Sequence, residues 1–194
     1  MDNVLSKLFG SKERLKILRL FLLNGECVFS IKDISERAKM QITVVRKEIN
    51  LLKNINFLRK KKITKNEKKV EGWVLNKSFT MLKPLKELIL DTTPFSKTDF
   101  LKKANSAGRM KLIVLSGIFI KNDASRIDIL IVGDKIRKNL LEKVLKEVEA
   151  EVGKELAYAI FETSDFVYRL NICDKFIRDI LDYPHQKILN KLSF

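Results

Sequence analysis

Cysteine, histidine and long apolar runs are scarce in this chain, and each shortage excludes a class of chemistry. Cys27 and Cys173 are its two cysteines. They lie far apart without metal-ligand spacing, so they read as free thiols in a reducing compartment, with a disulfide between them as the alternative. His185 is the one histidine and stands beside Pro184 in a terminal turn, a surface position and not that of a base or ligand. Neither a serine nor a cysteine nucleophile has partners in a recognisable arrangement, and there is no Gly-rich phosphate loop. No apolar run approaches the about 20 residues that span a bilayer. The N-terminus matches neither a signal peptide nor a lipidation site, and no repeats or low-complexity tracts occur. The expectation is a cytoplasmic protein with no membrane partner, no cofactor and no metal.

What the chain has is core-forming material and positive charge. Its 194 residues suffice for one ordinary domain or two small ones, and 45% hydrophobic residues supply a core. The formal charge of +15 favours a polyanionic partner. Its distribution is uneven. Residues 1–80 hold 19 Lys/Arg against 8 Asp/Glu, a net +11, whereas 81–194 hold 20 against 16, a net +4.

The cationic excess falls on residues 31–73. Residues 31–38 read as a short amphipathic helix, 39–41 as a turn, and 42–54 as a second helix. In the second helix Ile42, Val45, Ile49 and Leu52 share one face. At about 100° per residue the other face carries Thr43, Val44, Lys47 and Asn50, with Arg46 on its flank. Hydroxyl, amide and cationic groups on an exposed face are what groove reading requires. Two β-branched stretches follow around a polar tip near Asn66-Glu67, as in a hairpin rich in lysine. Helix, turn, helix and basic hairpin is the order of a winged helix-turn-helix. Gln41, Thr43, Arg46, Lys47 and Asn50 are the expected base-reading residues. Arg59, Lys60, Lys61, Lys62, Lys65, Lys68 and Lys69 are the expected phosphate contacts. The turn departs from the usual pattern: Lys39 stands where glycine is common, and Gln41 occupies the cap position.

Upstream, Ser11 is a candidate N-cap for a first core helix that Asn24-Gly25 stops. Residues 28–30 suggest a short strand joining the hairpin in a three-stranded sheet, with Trp73 and Met40 as core residues. Downstream, 79–94 reads as a helical connector with Pro84 in its first helical turn, broken by residues 91–94. A second helix runs from about 96 to 104. Beyond Gly108 the apolar runs 110–119 and 127–132 look like buried central strands. A helix ended by Gly153, a strand over 155–161, and a last helix carrying Phe166, Leu170, Cys173, Ile177 and Ile180 follow, then a short edge strand. The expected fold class is α+β: domain 1–78, connector 79–94, and an α/β domain with a small mixed sheet over 95–194.

The stretch 115–134 resembles the core of the minimal nucleotidyltransferase family, where a Gly-Ser turn after one strand precedes an Asp-x-Asp on the next. The whole chain resembles prokaryotic fusions of a winged helix to such a domain, described as transcriptional regulators. That resemblance implies a nucleotide phosphate at the Gly-Ser turn and divalent metal on clustered carboxylates. This sequence departs at each position. The turn reads Ser116-Gly117, the first aspartate is Arg126, only Asp128 remains, and the third carboxylate aligns with Ala157. A fixed cation where metal should sit disfavours Mg²⁺. Asp123 and Asp134 do not restore the pair spacing. Asp128 then reads as a partner for Arg126 or for a nearby backbone amide.

The expectation is therefore a sequence-specific reader of double-stranded DNA that regulates transcription, with a non-catalytic second domain for assembly or sensing of an unidentified nucleotide or small molecule. The alternatives are an active nucleotidyltransferase acting on RNA or protein, and an RNA- or protein-binding adaptor. Leucines of the first domain and of the connector are candidates for a homodimer contact.

Overall fold

The computed structural model describes residues 2–65, 68–91, 96–122 and 124–192. The chain is mixed α and β, with two small separate sheets. It divides into two compact units: Met1–Phe95 with Glu147–Lys154, and Ser96–Lys146 with Glu155–Phe194. Among the described residues no helix is long and apolar enough to cross a membrane.

The first unit begins with α1 (Asp2–Leu8), a helix the sequence pattern does not announce, and α2 (Lys12–Leu23). Ser11 caps α2 by accepting the Arg14 amide at 3.0 Å. Almost every residue of α2 from Leu15 to Leu22 is buried, which makes it the central rod of this unit. Helix α3 (Ile31–Ala38) opens with a capping box: Ser30 accepts the Asp33 amide while Asp33 accepts the Ser30 amide. After a tight turn comes α4 (Ile42–Asn54), then β1 (Leu58–Lys65) and β2 (Lys68–Leu75) as an antiparallel pair. The expected tip, Asn66-Glu67, lies outside the described residues. In place of the expected third strand over 28–30, a single bridge joins Phe29 to Trp73, with both backbone bonds made at 2.9 and 2.8 Å. One residue pairs because Ser30, the next, is already committed to capping α3.

Helix α5 (Leu82–Leu90) adds Ile89, Leu82, Leu85 and Leu90 to the core of this unit. Residues 147–154 belong to it as well. Asn24 Nδ2 donates to the Gly153 carbonyl at 2.8 Å, and Lys16 pairs with Glu151 at 2.8 Å. Gly153 has φ +87, and a Cβ there would stand 2.7 Å from the Leu20 nitrogen. Only glycine supplies both the left-handed backbone and that approach.

In the second unit the four-stranded sheet has the order β5 (Tyr158–Glu162), β4 (Ile129–Asp134), β3 (Arg109–Leu115), β6 (Gln186–Asn190). Both apolar runs take the inner positions and are buried nearly throughout. Strands β4 and β5 are parallel and joined through α7 (Lys138–Val152), while β3 runs antiparallel to both of its neighbours. Ahead of the sheet, Ser96 caps α6 (Lys97–Ala107). The single final helix expected from the apolar spacing is two: α8 (Thr163–Asn171) and α9 (Lys175–Leu181). Cys173 takes φ +54 and is exposed rather than part of a buried stripe. Asp174 then starts a new helix by accepting the Phe176 and Ile177 amides at 2.9 and 3.2 Å. An aspartate able to cap competes with continuation of the helix, and here the cap prevails.

Candidate nucleic-acid interface

Helix α4 is oriented by what its inner side buries. Val45, Ile49 and Leu52 are at most 1% exposed. Glu48 is buried beside them, and the only acid of α4 is held there by Arg14 of α2, whose Nε lies 2.7 Å from Glu48 Oε2. Arg14 also donates to the Phe9 carbonyl at 2.5 Å. This ion pair is the feature that the sequence pattern misses. An acid interrupting an apolar stripe is the signal that marks it, because such a charge requires a buried partner.

With that side fixed, Gln41, Thr43, Arg46, Lys47 and Asn50 are all exposed, as groove-facing residues must be. Val44, expected on the same exposed face, is half-buried. Ile42, expected in the core, is 44% exposed. Lys39 resolves the question posed by the turn. It adopts the left-handed conformation (φ 50, ψ 54) that glycine would take at lower cost. The turn is closed by the Met40 amide on the Ser35 carbonyl at 3.0 Å and by Ser35 Oγ on the Met40 carbonyl at 2.6 Å. Met40 packs partly buried against the core. Gln41 is the N-cap residue of α4 with an extended backbone, but its side chain makes no capping bond.

The hairpin is anchored at both roots. Asn76, just past β2, donates through Nδ2 to the Asn56 carbonyl at 2.7 Å, and its amide donates to the Phe57 carbonyl at 2.9 Å. Trp73 is 6% exposed and belongs to the core, where its backbone meets Phe29. Opposed residues of an antiparallel pair share a face. Leu58, Lys60 and Lys62 therefore lie on the side of Leu75, Trp73 and Glu71, whereas Arg59 and Lys61 lie on the side of Val74 and Gly72.

Among the described side chains, the four exposed cations of β1, Arg59, Lys60, Lys61 and Lys62, are thus not equivalent. Lys60 sits 2.8 Å from Glu71 and over the Trp73 ring, 5.6 Å from its centroid. The hydrogen bond from Lys60, then its charge, hold the Glu71 carboxyl below its ordinary value of 4.5, with smaller help from Lys62 and Lys53. Arg59 and Lys61 stand on the other face, away from Glu71. The side chains of Lys65, Lys68 and Lys69 lie outside the described residues, although their backbones extend both strands.

In the second unit the positions that carry the nucleotidyltransferase resemblance form a closed structural knot. Both oxygens of Asp128 are occupied. Oδ1 accepts the Ile118 amide and Oδ2 the Ala157 amide, each at 2.9 Å. Ser116 is buried, and its Oγ donates to the Ile127 carbonyl at 2.5 Å. Gly117 has φ +53, and a Cβ there would stand 2.1 Å from Asp128 Oδ1. Arg126 is paired not with Asp128 but with Asp179, at 2.9 Å. Ala157, at the position of the third carboxylate, contributes its amide. Among the described residues no group of three His, Cys, Asp or Glu side chains could hold a metal ion. Asp134 ends β4, and Asp123 lies outside the described residues. Cys27 and Cys173 are both free and exposed, and His185 is half-buried with Nδ1 2.9 Å from the Tyr183 carbonyl. No family model, no curated protein and no solved structure matches this chain.

Proposed function

We propose that this chain is a sequence-specific, double-stranded DNA-binding regulator whose first unit works as a winged helix-turn-helix. Helix α4 enters the major groove, and the β1–β2 hairpin is the wing that holds backbone phosphates. The observation that carries this reading is the sidedness of α4. A buried apolar stripe and an ion-paired glutamate hold one side, while Gln41, Thr43, Arg46, Lys47 and Asn50 are presented together on the other. Arginine and asparagine can each make two hydrogen bonds to one base edge, and lysine and threonine serve bases or phosphates. The net +11 of residues 1–80 supplies the long-range attraction a polyanion needs.

The second unit serves assembly or sensing in this reading and not phosphoryl transfer. The carboxylate that would bind metal is engaged by two backbone amides, and the positions that would supply its companions are an arginine and an alanine.

Binding of the full chain to random-sequence duplex, to a duplex pool enriched by selection, and to structured RNA, each over a range of salt, tests the proposal. The selected duplex should bind about a thousandfold or more tighter than the random one at physiological salt. Its log–log salt slope should fall by about one unit when Lys61 is changed to alanine. Tighter binding to structured RNA, or no enrichment of any duplex sequence, would overturn it.

A further inference from the structure

Ile42 shares its side of α4 with Ile49, seven residues on, so its spacing places it in the buried stripe. Ile49 is 1% exposed and Ile42 is 44% exposed. Helical phase cannot account for that difference, since seven residues are close to two full turns. Position at the very start of the helix goes with it: Ile42 is the first residue of α4, whereas Val45, three residues on, is already fully buried. In helix-turn-helix docking the first residues of the second helix meet base edges.

Single exposed apolar side chains are ordinary on protein surfaces. This one differs in its neighbours. Gln41, Thr43 and Arg46 surround it in sequence and along the helix, all exposed and all capable of reading or gripping DNA. Gln41 beside it has its side chain uncommitted to capping. An isoleucine at the start of a helix makes no hydrogen bond and caps nothing, and its β-branching gives it no advantage in helix propensity. The major groove offers one complementary group, the 5-methyl of thymine, the only methyl that the four bases display there.

We propose that Ile42 reads thymine through its 5-methyl group, with Gln41 facing the hydrogen-bonding edge of adenine, so that duplexes chosen by this chain carry A·T pairs where the leading turn of α4 lies. This rests on the groove-reading role of α4 proposed above. Glutamine can both donate to and accept from adenine, so the two side chains favour the same base pair.

The experiment uses the full chain and a duplex enriched from a random pool. Each thymine of that duplex is replaced in turn by deoxyuridine, which pairs identically and lacks only the methyl. One or two positions should then bind the wild-type chain about fourfold more weakly, the worth of one buried methyl. Ile42→Ala should bind the thymine and deoxyuridine duplexes equally at one of those positions. Ile42→Val, which keeps a methyl at the contact, should retain part of the sensitivity. Selective binding that is blind to every methyl, or methyl sensitivity that survives Ile42→Ala, would overturn the assignment of Ile42 while leaving the groove-reading role of α4 intact. A chain that retains no duplex at all would remove both.

Discussion

Two regions of this molecule hold clustered polar side chains, and they use them in opposite ways. Around Asp128 the polar bonds turn inward: two amides satisfy the carboxylate, the Ser116 hydroxyl is bonded to the backbone, and Gly117 lies against an oxygen with no room for a Cβ. On α4 and β1 most polar groups are turned outward, and apart from the exposed Lys60–Glu71 pair the protein's own side-chain bonds described there lie on the inner side and at the roots. A carboxylate that organises a fold has its lone pairs filled by backbone amides, and leaving those amides unpaired would be costly. A surface proposed to recognise a partner should keep its donors and cations in water until the partner arrives. Residue type does not separate the two cases; the direction of the bonds does.

The sharpest way to break this comparison is at Gly117. Gly117→Ala combines a positive φ with a clash against Asp128 and should cost about 3–5 kcal/mol, read as a lowered urea midpoint. Duplex affinity measured under conditions where the chain remains folded should not change. If Gly117→Ala were neutral for stability, the Asp128 knot would not be the anchor described.

Arg14→Ala is next in size. It leaves Glu48 buried without its partner and should destabilise the first unit by about 3 kcal/mol, measured by thermal or denaturant unfolding. A joint Arg14→Met, Glu48→Leu replacement should restore most of that loss, because the desolvation of both charges is removed together.

Within the wing, Lys61→Ala should weaken binding to all duplexes alike and lower the salt slope by about one unit, whereas Lys60→Ala should do less, since Lys60 already faces Glu71 and Trp73. Equal effects would mean that the Glu71 pair opens on binding.

Gln41→Ser sharpens the comparison at a single position. A serine there can cap α4, so stability should rise by about 1 kcal/mol while discrimination among duplex sequences falls. A gain in stability with unchanged sequence preference would place the Gln41 side chain outside the reading surface.

The smallest effect concerns pH. The Glu71 carboxyl titrates below its ordinary 4.5 in the folded chain, so its pairing with Lys60 stabilises fully above that value. The contribution disappears as pH falls through the lowered value. Glu71→Gln should flatten that part of the acid limb of a stability–pH curve slightly, with no change near neutrality. For a largely exposed pair, even this change will be at the edge of detection.

Much of the local structure was readable from residue spacing. The Ser11 cap, the boundaries of α4, the two central apolar strands and the burial of Trp73 follow from periodicity and capping chemistry, which act over a few residues. The readings that failed were those that depended on distant segments. The apolar period placed Ile42 in the core, but burial requires a neighbouring element to cover the residue, and Ile42, the first residue of α4, stays 44% exposed. The period also ran the last helix through Cys173, where the Asp174 cap prevailed. The 28–30 strand shrank to one bridging residue because Ser30 was taken by the α3 cap. Helix α1 left no clear pattern because it is short; Glu48 interrupts an apolar stripe, but its partner Arg14 lies 34 residues away in sequence.

The chain's residues by themselves determined its charge asymmetry, most of the element order and the absence of an Asp-x-Asp pair at positions 126–128, since composition and short-range sterics decide those. Tertiary structure alone decided which cations of the hairpin are already engaged, which way the Asp128 oxygens are bonded, and that Ile42 at the start of α4 stays exposed. Those are properties of groups brought together from remote positions, and a hydrogen bond or a buried contact exists only once both partners have been placed.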